Sequence, residues 1–141
     1  MCSMEKEASN KLKKAGLKVT PARKTILDVF SKHTQPINAE FILCELKKEK
    51  MDQVTVYRSL SSMLDTGIIK QVDLRKNSTY YELVGSHHHH LVCTECGLTE
   101  DFEVCDVEDL TKKALSKSSK FKTIQQHSFE LFGVCKTCAK R

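Results

Sequence analysis

Two Cys-x-x-Cys pairs, Cys93-Thr-Glu-Cys96 and Cys135-Lys-Thr-Cys138, constrain this chain more than any other feature. Such spacing lets both sulfurs of a pair reach one tetrahedral ion, and two knuckles together close a four-sulfur shell around zinc. Closing that shell brings residue 93 back against residue 138, so everything between them must fit inside the loop. The gap is wider than a minimal zinc ribbon needs, which leaves room for a helix. Residues 106–118 can supply it, with Val107, Leu110 and Ala114 along one face. A shell of four thiolates has no open coordination position, so its role is structural. The competing reading is a redox pair in each knuckle. Two matched knuckles favour zinc.

The other cysteines and the charge divide the chain. Seven cysteines follow an N-terminus, MCSMEKEASNKLKKAG, that has no apolar core for a secretory signal. Metal or redox chemistry in the cytoplasm is therefore expected, not a disulfide framework. No apolar run approaches the roughly 18 residues that a membrane span needs. Residues 1–85 hold 15 Lys/Arg and 10 Asp/Glu, whereas residues 86–141 hold 8 of each. The whole net charge of +5 thus lies in the first part. All histidines except His33, and all cysteines except Cys2 and Cys44, lie in the second. The sequence reads as a basic domain, residues 1–85, joined to a metal-ligand domain, residues 86–141.

In the basic part, residues 10–15 form a short helical run that Gly16 ends. Thr20-Pro21 marks a helix start, an N-cap followed by proline at the first helical position. Ile26, Leu27 and Phe30 follow at helical spacing. Asn38 can cap a third helix with Ala39, Ile42, Leu43 and Leu46 inward, and Cys44 is expected in its core. Asp52 can cap a fourth helix that buries Val56, Leu60, Met63 and Leu64 and ends at Gly67. "IIKQVDL" and "TYYELV" then read as two strands around an Arg75-Lys76-Asn77 turn. Short helices followed by a hairpin are the layout of a winged helix-turn-helix. The fourth helix would be the reader, offering Thr55, Tyr57, Arg58, Ser59 and Ser62 on its outer face. A helical domain with a solvated polar face is the plainer alternative.

The run His87-His88-His89-His90 leads into Leu91, Val92 and Cys93 and reads as part of a strand. Side chains alternate along a strand, so His88 and His90 share one face while His87 and His89 share the other. One run of four becomes two pairs, each able to start its own metal site. Glu82, Glu100, Asp101, Glu103, Glu108 and His127 are the candidate partners, and pattern alone does not choose among them. A solvated polar run is the alternative. Cys105 is open between a bystander and a redox-sensitive thiol.

"LKKAGLKVTPAR" and "VTVYRSL" closely resemble the DNA-binding domain of the ferric uptake regulator family. The resemblance continues through the histidine run, both knuckles and "HSFELFGVC", so it covers nearly the whole chain. It implies an α+β protein: an N-terminal winged-helix domain and a C-terminal α/β dimerisation domain with a four-cysteine zinc site. It implies that Tyr57 and Arg58 contact bases or phosphates in the major groove and that Lys18 reaches the minor groove or backbone. For the regulatory ion, the ligands that match are Glu82, His88, His90 and Asp101. A further histidine is usual just before the third helix, where this chain has Gln35 and Pro36; His33, slightly earlier, is the substitute. A second site matches His87, His89, Glu108 and His127, with His89 where many relatives carry aspartate. Three imidazoles and one carboxylate suit zinc, whereas the harder regulatory set suits Fe²⁺, Mn²⁺ or Zn²⁺. Glu82 stands where zinc-sensing relatives often have cysteine, which favours iron or manganese.

The implied function is a cytoplasmic homodimeric repressor of metal-uptake genes, binding a pseudo-palindromic duplex DNA operator when the regulatory metal is present. A peroxide sensor of the same family, with Fe²⁺ at the regulatory site, is the alternative signal. A zinc-dependent hydrolase is the rival of a different class. It would need an open coordination position and a general base such as Glu100 or Glu103, and no HExxH motif accompanies the histidines.

Overall fold

Three side-chain caps fix where the helices of the first half begin. The Arg23 amide donates to Thr20 Oγ1 at 3.2 Å, the Phe41 amide to Asn38 Oδ1 at 2.8 Å, and the Thr55 amide to Asp52 Oδ1 at 2.6 Å. Each cap satisfies one of the amides that a helix start leaves without a partner. The computed structural model describes residues 2–141. The chain divides into two compact units, Met1–Gly85 and Ser86–Arg141.

The first unit contains α1 (Cys2–Lys14), α2 (Pro21–Lys32), β1 (Ile37–Asn38), α3 (Ala39–Glu45), α4 (Gln53–Asp65), β2 (Ile69–Val72) and β3 (Tyr80–Leu83). Helix α1 starts well before the run expected at residues 10–15. Its early residues form no apolar stripe to announce a helix; Leu12 is fully buried and Ala8 packs against the core. Gly16 and Gly67 end α1 and α4 at a φ of +76°, in the left-handed region where glycine carries no side-chain penalty. Leu12, Ile26, Phe30, Ile42, Val56, Leu60, Met63 and Ile69 form one continuous core beneath α4.

Strands β2 and β3 make the expected hairpin, with Lys70 opposite Glu82 and Val72 opposite Tyr80. Its turn holds Arg75 at a φ of +52°, with the Arg75 amide donating to Asp73 Oδ1 at 2.9 Å. The sheet gains an unforeseen third strand, since β1 pairs with β3 through Ile37–Tyr81 and Asn38–Tyr80. Two residues are too few to show a period. Two assignments of facing on the helices are corrected. Cys44 is exposed, lying off the stripe of Ala39, Ile42 and Leu46. Ser59, placed on the outer face of α4, is buried.

The second unit contains β4 (His89–Cys93), β5 (Thr99–Phe102), α5 (Val107–Lys117) and β6 (Leu131–Gly133). Strand β4 is central, antiparallel to β5 and parallel to β6. Helix α5 runs between Asp106 and Ser118 as the sequence predicts, but of its apolar face only Val107 is buried and Leu110 stays 64% exposed. Among the described residues no helix is long and apolar enough to cross a membrane.

Ile42 is fully buried at the centre of the first unit's core. Ile42→Ala should cost about 2–5 kcal/mol by leaving a cavity that the helices fill only in part. Urea unfolding followed by circular dichroism reads this as a lower midpoint with an unchanged slope.

Candidate metal centres and DNA-reading face

The four knuckle cysteines converge at one end of β4. Cys93 ends the strand, and its carbonyl accepts from the Gly97 amide at 3.0 Å, which closes the first knuckle. Gly97 holds a φ of +76° at that turn. The second knuckle follows β6, and its Cys135 carbonyl accepts from the Ala139 amide at 2.9 Å. The Thr94 amide donates to Gly133 O at 2.8 Å and ties the two knuckles across the β4–β6 edge. All four sulfurs lie within 4.8 Å of one another, with Cys96 Sγ 3.8 Å from Cys135 Sγ.

Convergence of all four sulfurs on one point favours a shared zinc over a separate redox pair in each knuckle. A disulfide needs sulfurs about 2 Å apart. Four thiolates about 2.3 Å from a central zinc stand about 3.8 Å from each other. Proton affinities point the same way. Backbone amides of Cys135 and Cys96 hold the Cys93 thiol down to about 6. Hydrogen bonds with the neighbouring sulfurs of Cys135 and Cys96 hold the Cys138 proton and push that thiol up to about 12, with the charge of Cys135 a smaller cause. A divalent cation takes the place of that proton, and the set fits zinc.

The histidines alternate as an extended run requires, although β4 itself starts only at His89. His88 and His90 have ring centroids 5.0 Å apart, and His87 and His89 4.6 Å apart. On the first face, His90 pairs in register with Asp101 of β5, and His90 Nε2 lies 3.6 Å from Asp101 Oδ1. Its other nitrogen, Nδ1, lies 3.7 Å from Glu130 Oε1. Glu130 was not among the candidates from sequence. Only the parallel β4–β6 pairing brings it beside β4, and a parallel partner that distant in sequence leaves no local signal. His88 Nδ1 lies 2.9 Å from Ser86 O.

Glu82, in the first unit, sits on β3 beside Lys70, whose Nζ is 2.9 Å from Glu82 Oε1. His33 ends α2. Its ring meets Phe41 edge-on at 4.8 Å, and its Nε2 lies 3.9 Å from Glu45 Oε2.

The second face of the histidine run departs from the set expected for it. His87, His89 and His127 come together, but the fourth member is Cys105. Glu108 is exposed on the first turn of α5. A carboxylate there is favoured by the positive end of the helix. Cys105, in the connection before α5, stands in the place that the family resemblance gave to Glu108.

On α4, Tyr57 and Arg58 are exposed and Thr55 is half-buried. Val54, unmarked in the sequence reading, is 57% exposed beside them. Lys18 is exposed in the α1–α2 connection. Arg23, also missed, braces this face: its guanidinium donates to Lys18 O at 2.8 Å and to Ser62 Oγ at 3.4 Å.

The model of the Ferric uptake regulator family matches residues 14–132. The ferric uptake regulation protein of Neisseria gonorrhoeae is 34% identical over 131 residues, 90% of each chain. The peroxide operon regulator of Bacillus subtilis (strain 168) is 30% identical over 138 residues, covering 96% of this chain and 94% of that one. Among solved structures, the Helicobacter pylori ferric uptake regulator, whose structure reveals three functional metal-binding sites, superposes with a TM-score of 0.76 at 25% identity. That match covers 97% of this chain and 92% of the other.

Zinc–thiolate shells contribute on the order of 10 kcal/mol in small zinc peptides. Cys93→Ser and Cys135→Ser should each lose one equivalent of zinc and melt well below wild type. Metal analysis with calorimetry checks both, and unchanged zinc content and melting temperature would remove the four-cysteine assignment.

Proposed function

The chain belongs to the ferric uptake regulator family of metal-dependent regulators, and we propose that it is a homodimeric repressor that binds operator DNA when its regulatory site is loaded. The observation that carries this reading is the constellation on the first face of β4. His88, His90 and Asp101 are gathered there, and the strand that bears Glu82 ends only a few residues before the histidine run. We take Glu82, His88, His90 and Asp101 as the regulatory ligands, with His33 as an additional one. Two imidazoles and two carboxylates suit Fe²⁺, Mn²⁺ or Zn²⁺. In this proposal the ligands come from both sides of residue 85 in the sequence, so loading would couple metal to the DNA-reading part of the chain. If the DNA-competent arrangement holds the ligands closer to ideal geometry, loading shifts the population toward it, and by linkage DNA tightens metal binding.

Two further features support the reading. The first unit carries the whole net charge of +5, and Tyr57, Arg58 and Val54 stand exposed on α4. In our proposal α4 enters the major groove, Arg58 and Tyr57 read bases or phosphates, Thr55 bonds phosphate, and Lys18 holds the backbone. The second unit buries only Val92, Cys93 and Val107 as apolar core while Leu98, Leu110, Leu131 and Val134 remain exposed. Apolar surface of that extent beside the open edges of β5 and β6 fits a second copy of the chain. Such a dimer presents two α4 helices to successive major grooves of a pseudo-palindrome. Both relatives are named as regulators. Action in the cytoplasm on metal-uptake genes completes the proposal.

The Bacillus subtilis relative favours one second reading, a peroxide-sensing repressor of the same family. Mass spectrometry of Fe²⁺-loaded protein exposed to peroxide separates the two, since oxidation of a ligand histidine belongs to the sensor alone.

Arg58→Ala should weaken operator binding and lose about 1–3 kcal/mol of discrimination at one base position. Lys18→Ala should weaken all sequences alike and flatten the salt dependence by about one unit. Fluorescence anisotropy at several salt concentrations distinguishes them, and operator binding by Arg58→Ala equal to wild type would exclude α4 as the reader. For the regulatory site, His88→Ala and His90→Ala should each abolish metal-stimulated operator binding, whereas His87→Ala and His89→Ala should leave much of it. Matching phenotypes for His87 and His90 would mean that the run is not extended in solution.

A further inference from the structure

The cluster of His87, His89, Cys105 and His127 has a composition that the family resemblance does not supply. His127 Nε2 lies 3.2 Å from His87 Nε2 and 3.5 Å from Cys105 Sγ, and His89 Nε2 lies 3.2 Å from Cys105 Sγ. All four ligand atoms fall within 4.8 Å of one another. A tetrahedral zinc, with nitrogens about 2.0–2.1 Å away and sulfur about 2.3 Å, separates its ligand atoms by about 3.3–3.7 Å. The observed separations already approach those of a filled shell. The rings are also held in place. His89 stacks on Phe129 with centroids 3.9 Å apart and meets Phe102 at 5.5 Å, and His127 packs on the same Phe129 at 6.2 Å.

We propose that these residues form a second ion site of three imidazoles and one thiolate, in which Cys105 is a ligand and which selects zinc-like ions against Fe²⁺ and Mn²⁺. The preference follows from the donors. Thiolate and imidazole favour Zn²⁺, Co²⁺ and Cu⁺, whereas Mn²⁺ and Fe²⁺ stand lowest in affinity for such sites and favour oxygen ligands. On the opposite face of the same run, Asp101 and Glu130 flank His90 and make a harder environment. The chain thereby separates soft from hard donors across one strand. An ion of the zinc class can occupy the second face without competing for the first. The site extends the repressor reading but does not depend on it, since its ligands all belong to the second unit.

The test uses full-length protein that retains one zinc per chain in its four cysteines, titrated anaerobically with Co²⁺. Wild type should take up a further equivalent with tetrahedral ligand-field bands and a sulfur-to-cobalt charge-transfer band. Cys105→Ser should lose the charge-transfer band, and its zinc affinity should fall by more than about a hundredfold, beyond what altering a residue behind a ligand costs. Cys105→Asp should regain uptake without that band, which separates loss of a ligand from loss of fold. Glu108→Gln should match wild type in both. Competition should show Zn²⁺ displacing Co²⁺ while Mn²⁺ does not. If Glu108→Gln abolishes uptake and Cys105→Ser keeps it, or if wild type shows no sulfur band, Cys105 is not a ligand and the proposal falls. Operator binding with Mn²⁺, measured on the same samples, reports on the repressor reading independently of these bands.

Discussion

Strand β4 is hydrogen-bonded on both sides, and that double pairing is the constraint on which the second unit depends. Its antiparallel register with β5 sets His90 against Asp101 and His89 against Phe102. Its parallel register with β6 sets Cys93 beside Gly133, immediately before the second knuckle. His89, His90 and Cys93, and through the two registers Asp101, Phe102 and Gly133, thus take their positions from a single five-residue element. Few apolar side chains in this unit support that element. The load falls on the knuckles, which fasten one end of β4 to the chain beyond β6.

Much of this was legible beforehand because it rests on local chemistry. Thr20, Asn38 and Asp52 cap helices where a short polar side chain preceding an apolar stripe predicts it. The knuckles and the alternation of the histidines follow from fixed spacings along an extended chain. What stayed hidden was set by tertiary pairing. Glu130 reaches His90 only through the parallel strand, β1 is too short to show a period, and Cys105 lies in a loop whose path no pattern dictates. Glu108 entered the second ligand set through the family resemblance, not through any local pattern. The helix dipole is a sufficient reason for an acid in that place.

The two units are stabilised by different means. The first buries a continuous apolar core and closes its helices with side-chain caps, as an autonomous domain would. The second leaves Leu110 and Leu131 exposed and gathers ligands instead. Its folded state is therefore coupled to ion supply in a way that the first unit's is not. In the proposed repressor, specificity for DNA would lie in the part that folds on hydrophobic burial. Three of the proposed regulatory ligands, His88, His90 and Asp101, would lie in the part whose order depends on ions.

Four identical residues in succession also have a genetic consequence. In a strand, losing or gaining one residue turns every following side chain to the opposite face. A ligand pair embedded in mixed sequence would be scrambled by such a slip. Within an unbroken run, deleting one histidine leaves a histidine at every place but the outermost and shortens the connection before the run by one residue. The place at risk is that of His87, the most solvent-accessible of the four. Loss of one histidine would therefore take a ligand from the zinc-class face while the places of His88 and His90 stay filled.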